Sequence, residues 1–219
     1  QRRCTDPALA RWHAEHQDAY RRWLGTEPIA AALLPLIAST KRFPDMIALP
    51  PERGMNTSLN EELAEMAAHT DEEIRAGVHA AAAASWKSHD LEWLSWQNLA
   101  EQTVEVFNQG WQRFVSPDWP RRRAILERDI MYRAGLLAAY GWKHTVETMK
   151  HRSVWVGDNA IRFSDQHAPD RTIDQGLIFV PRTTTGGWWT CEKPPRYALV
   201  YCAFGPHAEP TTDDAAGTD

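Results

Sequence analysis

The sequence predicts an α+β chain: a helical region over residues 1–151, a small, mostly antiparallel β-sheet region over 152–205 packed on it, and a disordered tail or linker over 206–219. Three observations carry this. Apolar residues recur at helical spacing through the first two thirds and at strand spacing afterwards. Helical segments come first and strands last, with no βαβ alternation. The change of period is punctuated by Gly141 and by the turn sequence Gly157-Asp158-Asn159.

Taken in order, Asp6-Pro7 is a cap and first-turn pair. It opens a helix in which Leu9, Trp12, His16, Ala19, Tyr20 and Trp23 share a stripe up to Gly25. Pro28 starts an apolar helix to about Ser39, with Pro35 set to kink or shorten it. Residues 40–56 carry Pro44, Pro50, Pro51 and Gly54 and are expected to be irregular. Ser58 with Glu61, and Thr70 with Glu73, are capping-box patterns. The helices they open carry Leu59, Leu63 and Met66, then Ile74, Val78 and Ala82. A single long helix is expected from about Asp90 to Val115, with Trp93, Trp96, Ala100, Val104, Phe107, Trp111 and Phe114 on one face. Ser116-Pro117 ends it, the next helix runs from about Trp119 to Tyr140, and Gly141 terminates that one before a short helix to about Lys150. Residues 153–156 and 160–163 read as a hairpin, and Gly176–Val180 and Tyr197–Phe204 as two apolar strands.

Composition narrows the function classes. The chain has 219 residues with 24 Lys and Arg against 29 Asp and Glu, a net charge of -5 that argues against an isolated nucleic-acid-binding domain. No stretch approaches the length of a membrane span. Cys4, Cys191 and Cys202 are too few and too unevenly spaced for a disulfide framework. A reducing, cytoplasmic setting is therefore expected. Eleven tryptophans are the unusual number.

Catalytic signatures are mostly missing: no phosphate loop, dinucleotide fingerprint, nucleophile elbow or zinc helix. Ser88-His89-Asp90 has the letters of a triad, but adjacent residues point in different directions. His13 and His16 with Glu15, the loop residues Asp165, His167 and Asp170, and the pair Cys191 and Cys202 carry the residue types of metal or redox sites. Aromatic packing, Asp-rich loop chemistry and buried thiols account for them better, so no metal and no cofactor are expected. Arg121-Arg122-Arg123 reads as a solvated first turn. The tryptophan excess points to a helical bundle with a pocket for a bulky, planar molecule. Trp86, Trp93, Trp96, Trp111, Tyr132 and Trp142 are its candidate ligand-binding residues.

Several segments together resemble a known family. Arg42-Phe43-Pro44-Asp45-Met46 with Pro50-Pro51, Asp129-Ile130-Met131-Tyr132-Arg133-Ala134, Gly141-Trp142, Val154 to Asn159, Gly176 to Pro181, and Trp188 to Phe204 with Pro194-Pro195 and Tyr197 to Tyr201 follow one another in a matching order. They are similar to the region of unknown function that precedes the winged helix in actinobacterial ArsR-like transcriptional regulators, over roughly residues 30 to 205. The resemblance implies the effector-sensing and dimerising region of a regulator. It implies a homodimer, a bulky aromatic small-molecule effector, no membrane, and DNA contact only through a winged helix that this chain lacks. A short N-terminal segment of the family is also missing before Gln1. The alternative is a stand-alone, sequestering small-molecule-binding protein with an aromatic pocket; an enzyme of unrecognised type ranks below both.

Overall fold

Six α-helices precede six strands in the computed structural model, which describes residues 7–50, 56–148, 153–163, 170–172, 177–184, 189–193 and 196–203. The cap at Asp6, Cys4, Pro51, Gly54, the loop residues Asp165 and His167, Trp188 and the tail lie outside the described residues. The α+β order expected from the sequence is what the chain adopts. The chain forms two compact units, residues 11–118 and, from residue 119 onward, the remainder together with the start of the first helix.

In the first unit, α1 (Pro7–Thr26) and α2 (Pro28–Ile37) meet at Glu27, with Pro28 supplying the preset φ of a first helical residue. α2 is apolar on nearly every side and is correspondingly buried through Ile29, Ala30, Leu33 and Leu36. Pro35 is accommodated inside α2, and the Ser39 hydroxyl donates to its carbonyl at 2.7 Å. The following irregular stretch is pinned by Thr40, whose hydroxyl donates to Ala81 O at 2.7 Å while Arg42 N donates to it. Pro44 and Asp45 come so close to α4 that a Cβ on Gly77 would lie 3.4 Å from Asp45 N.

Both capping boxes form. Ser58 caps α3 (Leu59–Ala67) and Thr70 caps α4 (Asp71–Ala83), with Glu61 and Glu73 reaching back to the cap N–H groups at 2.8 Å.

The single helix expected over Asp90–Val115 is not formed. A short 3-10 turn covers Glu92–Ser95, the chain opens at residues 96–98, and α5 runs Leu99–Gly110 before widening into a π-turn at Trp111–Val115. The cause lies in α4. Asp71 accepts from Asn98 N at 3.0 Å and from Leu99 N at 2.7 Å, so a carboxylate from another helix satisfies the amides that begin α5. Arg75 donates to Leu94 O and Trp96 O at 2.7 and 2.8 Å and satisfies the carbonyls that precede the break. Asn98 adopts a left-handed conformation, φ 57°, which a short polar side chain tolerates. Four hydrogen bonds from two residues outside the segment therefore outweigh its helical periodicity.

In the second unit, α6 (Trp119–Glu147) is interrupted at Gly141, φ 77°, where the sequence places a helix end. Thr145 Oγ1 donates to Gly141 O and re-anchors the short continuation. β1 (Ser153–Val156), β2 (Ala160–Phe163) and β3 (Arg171–Thr172) form an antiparallel sheet with Gly157 at φ 59° in the three-residue turn. β4 (Leu177–Arg182), β5 (Trp189–Lys193) and β6 (Arg196–Cys202) form a second sheet in the order β4-β6-β5, with β4 parallel and β5 antiparallel to β6. Three of the four strand pairings are antiparallel. The described strands thus form two sheets where one was expected, with β3 paired to β2 rather than to β4.

β6 is central and is buried through Ala198, Leu199, Val200 and Tyr201. Val146, Ile161, Leu199 and Tyr201 make the core of this unit. Cys191 sits opposite Ala198 and Cys202 opposite Arg182, so the register keeps the two thiols from meeting. Beneath β6, Asp129 and Arg133 of α6 pair at 3.2 Å, Tyr201 donates to the same carboxylate oxygen, and the Arg133 guanidinium lies 4.9 Å from the Tyr201 ring centre. All three side chains are buried.

Asp71→Ala strips the two N–H caps of α5 and the ion pair with Arg75. A loss of about 1–2 kcal/mol in urea unfolding is expected. A change within about 0.5 kcal/mol, the ordinary surface value, would show that the break is held by packing instead.

Candidate functional site

Three apolar stripes converge in the residue 11–118 unit: Tyr20 and Trp23 from α1, Leu59, Leu63 and Met66 from α3, and Val106 and Phe107 from α5. The α5 stripe reaches them because α5 begins at Leu99 and ends in the π-turn, which presents Trp111, Phe114 and Val115. Insertions of this kind into a helix recur at functional positions. Between the stripes is a cavity of about 440 Å³, open on one side, with Leu34, Ile47 and Gly110 completing its wall. That volume is within the usual range of small-molecule sites.

Phe114 is the centre of the aromatic wall. Trp12, His16, Tyr20 and Trp23 surround its ring with centroid separations of 6.1, 6.1, 5.5 and 5.4 Å, mostly edge to face. Trp12 Nε1 donates to Phe114 O at 3.3 Å and Trp23 Nε1 donates to Gln109 at 2.8 Å. Both indole N–H groups are thereby committed and the rings fixed in orientation. Burial raises the pKa of the Tyr20 hydroxyl.

Glu62 is the one carboxylate among the described residues of the wall. Its side chain stands at the rim, still exposed to solvent. The protein against it removes enough water to raise its pKa, and the neighbouring Glu65 charge adds to the shift. Glu61 and Glu73 serve as cap acceptors, whereas the Glu62 carboxylate has no hydrogen-bond or ion-pair partner among the described residues.

The six residues singled out from sequence are distributed differently. Trp111 lines the cavity. Trp93 is 4% exposed and belongs to the core, with its Nε1 unpartnered. Trp86 and Trp96 are 64% and 41% exposed, the latter because the chain opens there instead of continuing as helix. Tyr132 and Trp142 belong to α6 in the other unit, where Trp142 packs on Phe179 at 5.6 Å. One pocket does not gather them: helical spacing reports which residues share a face, not which faces meet. Tyr20, Trp23, Glu62, Phe107 and Phe114 were the residues missed. Their signal was present as three separate stripes whose meeting depends on the tertiary break before α5.

Other candidates resolve into structure. His89 Nε2 lies 3.0 Å from Ser39 Oγ and 2.8 Å from Ser85 Oγ. Ser39 donates its proton to Pro35 O and Ser85 donates to Ser39 O at 2.6 Å. Both hydroxyl protons are committed, so Nε2 is the donor to both oxygens. This histidine ties the end of α2 to the turn after α4 and is not poised to take a serine proton. His16 is packed among Trp12 and Phe114. Asp170 is held by both arms of Arg162 at 2.8 Å, and Arg123 pairs with Glu127. Among the described residues no group of three His, Cys, Asp or Glu side chains is arranged to hold a metal ion, and no helix is long and apolar enough to cross a membrane. α3 and α4 are joined like a helix-turn-helix, but the first turn of α4 carries Asp71, Glu72 and Glu73, which would set negative charge against phosphates.

No family model, curated protein or solved structure matches the chain.

The raised pKa of Glu62 has a signed consequence for stability. Below the ordinary glutamate range the group is neutral in both folded and unfolded chains. As pH rises through its elevated folded pKa, the folded state loses stability relative to a chain without the charge. Glu62→Gln is therefore expected to melt at a higher temperature than wild type at pH 7 and at the same temperature below about pH 4. Thermal melts across that range check this; an unchanged or lower melting temperature at pH 7 contradicts it.

Proposed function

We propose that this chain is the effector-sensing region of an ArsR-like transcriptional regulator and that its ligand, a bulky aromatic small molecule, occupies the cavity of the helical unit. The observation that carries the reading is a cavity of about 440 Å³ with a wall of Tyr20, Trp23, Phe107, Trp111 and Phe114 and an opening to solvent. Burying flat apolar area against rigid rings supplies binding free energy at small entropic cost. The resemblance of the segments around Pro44, Asp129, Gly141 and Gly157 to such regulators supplies the regulatory part of the proposal. In it the chain acts as a homodimer in the cytoplasm, and DNA contact falls to a winged helix, a module not found among the described residues. Ligand binding shifts the population between two arrangements of the dimer.

The walls of the cavity suggest how. Phe114 and Trp111 sit in the π-turn, a segment whose hydrogen bonding differs from that of the helix before it. A ligand pressing on that turn acts directly on the end of α5. A coupling of about 1–3 kcal/mol, roughly 5- to 150-fold in DNA affinity, is enough for regulation.

The test has two parts. A panel of rhodamine 6G, berberine, naringenin and tetracycline is titrated into the protein while tryptophan fluorescence is followed. At least one compound is expected to bind at micromolar concentration and to lose about tenfold or more in Trp111→Leu, as expected for removal of a large aromatic contact. The natural gene product is then assayed for binding to its own upstream DNA with and without that compound. A shift of about fivefold or more supports the regulator. Binding of the compound with no DNA effect would favour a sequestering protein, and no binding at all would contradict a ligand site here.

A further inference from the structure

Among the described residues the wall of the cavity is apolar apart from Tyr20 and one carboxylate, and the placement of that carboxylate says what charge a ligand should carry. Among the described residues no Lys, Arg or His lines the cavity. Glu62 stands among Leu59, Leu63 and Met66 on the face of α3 that borders the opening, with no cap, hydrogen bond or ion pair among the described residues to occupy it. Its chain neighbour Glu61 is fully engaged with Ser58. Its partial desolvation at the rim, which raises its pKa, favours the approach of a group of opposite charge. Aromatic rings carry negative potential on their faces, and Trp23, one of the two indoles on the wall, already gives its N–H to Gln109. Carboxylate and ring faces therefore act in the same direction: both attract a cation, and both repel an anion.

Resting on the cavity being the ligand site, we infer that it selects lipophilic organic cations, with Glu62 as the counter-charge at the mouth and Trp23, Trp111, Tyr20 and Phe107 holding the aromatic body. Charge spread over a large organic framework suits such a site better than a compact ammonium, because its desolvation costs less. The Tyr20 hydroxyl on the same wall offers one further polar contact to a ligand.

Tetraphenylphosphonium and tetraphenylborate, near-isosteric ions of opposite sign, separate charge from shape. Each is titrated into the full chain by calorimetry, with tryptophan fluorescence followed in parallel. Tetraphenylphosphonium is expected to bind at least about tenfold more tightly than tetraphenylborate. Glu62→Gln is expected to weaken the phosphonium by about tenfold, to strengthen the borate, and to leave naringenin, which is neutral, within about twofold. Glu72→Gln removes the same charge from α4, away from the cavity wall, and is expected to change neither ion by more than about twofold. Equal binding of the two ions, or indifference to Glu62→Gln while Trp111→Leu still weakens them, overturns the charge preference and leaves the ligand site standing. An equal loss in Glu72→Gln overturns the assignment to Glu62. If neither ion nor any compound of the aromatic panel binds, the charge preference and the ligand site fail together.

Discussion

The carboxylate of Asp71 fixes where the helix α5 begins. By accepting from Asn98 N and Leu99 N it ends one run of backbone and starts another, and Arg75, one turn further along α4, holds the carbonyls of Leu94 and Trp96 on the near side of the break. An uninterrupted helix over this stretch would carry Trp93 and Trp111 along one rod. With the break, Trp93 turns into the core, while Val106, Phe107 and Gly110 join the wall of the cavity. The site is thus a consequence of hydrogen bonds made on α4, at residues that do not line it.

What fills the space beside α5 is a set of rigid rings. Rings that meet edge to face around Phe114 interlock through electrostatic preference as well as area, but they fill volume less completely than branched aliphatic side chains do. Where α1, α3 and the π-turn approach, that residue choice leaves room. A well-packed aliphatic wall would be more stable and would bind nothing. The second unit shows the contrasting solution. Tyr201, Asp129 and Arg133 lock α6 to β6 through a buried ion pair, a hydrogen bond and a cation–ring contact, in a core with strands on the other side.

Local chemistry was readable where local chemistry decides. Both capping boxes, the interruption at Gly141 and the Gly157 turn follow from residues within a few positions of the feature they cause. The start of α5 was not readable, because its determinant lies 27 and 28 residues away in the chain and residues 96–98 contain neither Gly nor Pro. The short β3 and the strand β5 were missed for a related reason: a two-residue strand has no period, and β5 carries Glu192 and Lys193 among its apolar residues. The tryptophan count says nothing of burial: Trp86 is exposed and Trp93 lies in the core. Glu62 was hidden in an acidic first turn, where Glu61 has the expected capping role and Glu62 has none.

In the proposed function a ligand sits in the cavity against Trp23 and Trp111. Fluorine NMR of the full chain labelled with 5-fluorotryptophan, with resonances assigned by single Trp→Phe substitutions and rhodamine 6G as the titrant, tests that placement directly. The account predicts that the Trp23 and Trp111 resonances move together with one saturation curve while those of Trp86 and Trp96 stay in place. Saturating movement at Trp86 or Trp96 with Trp23 and Trp111 unmoved would contradict it.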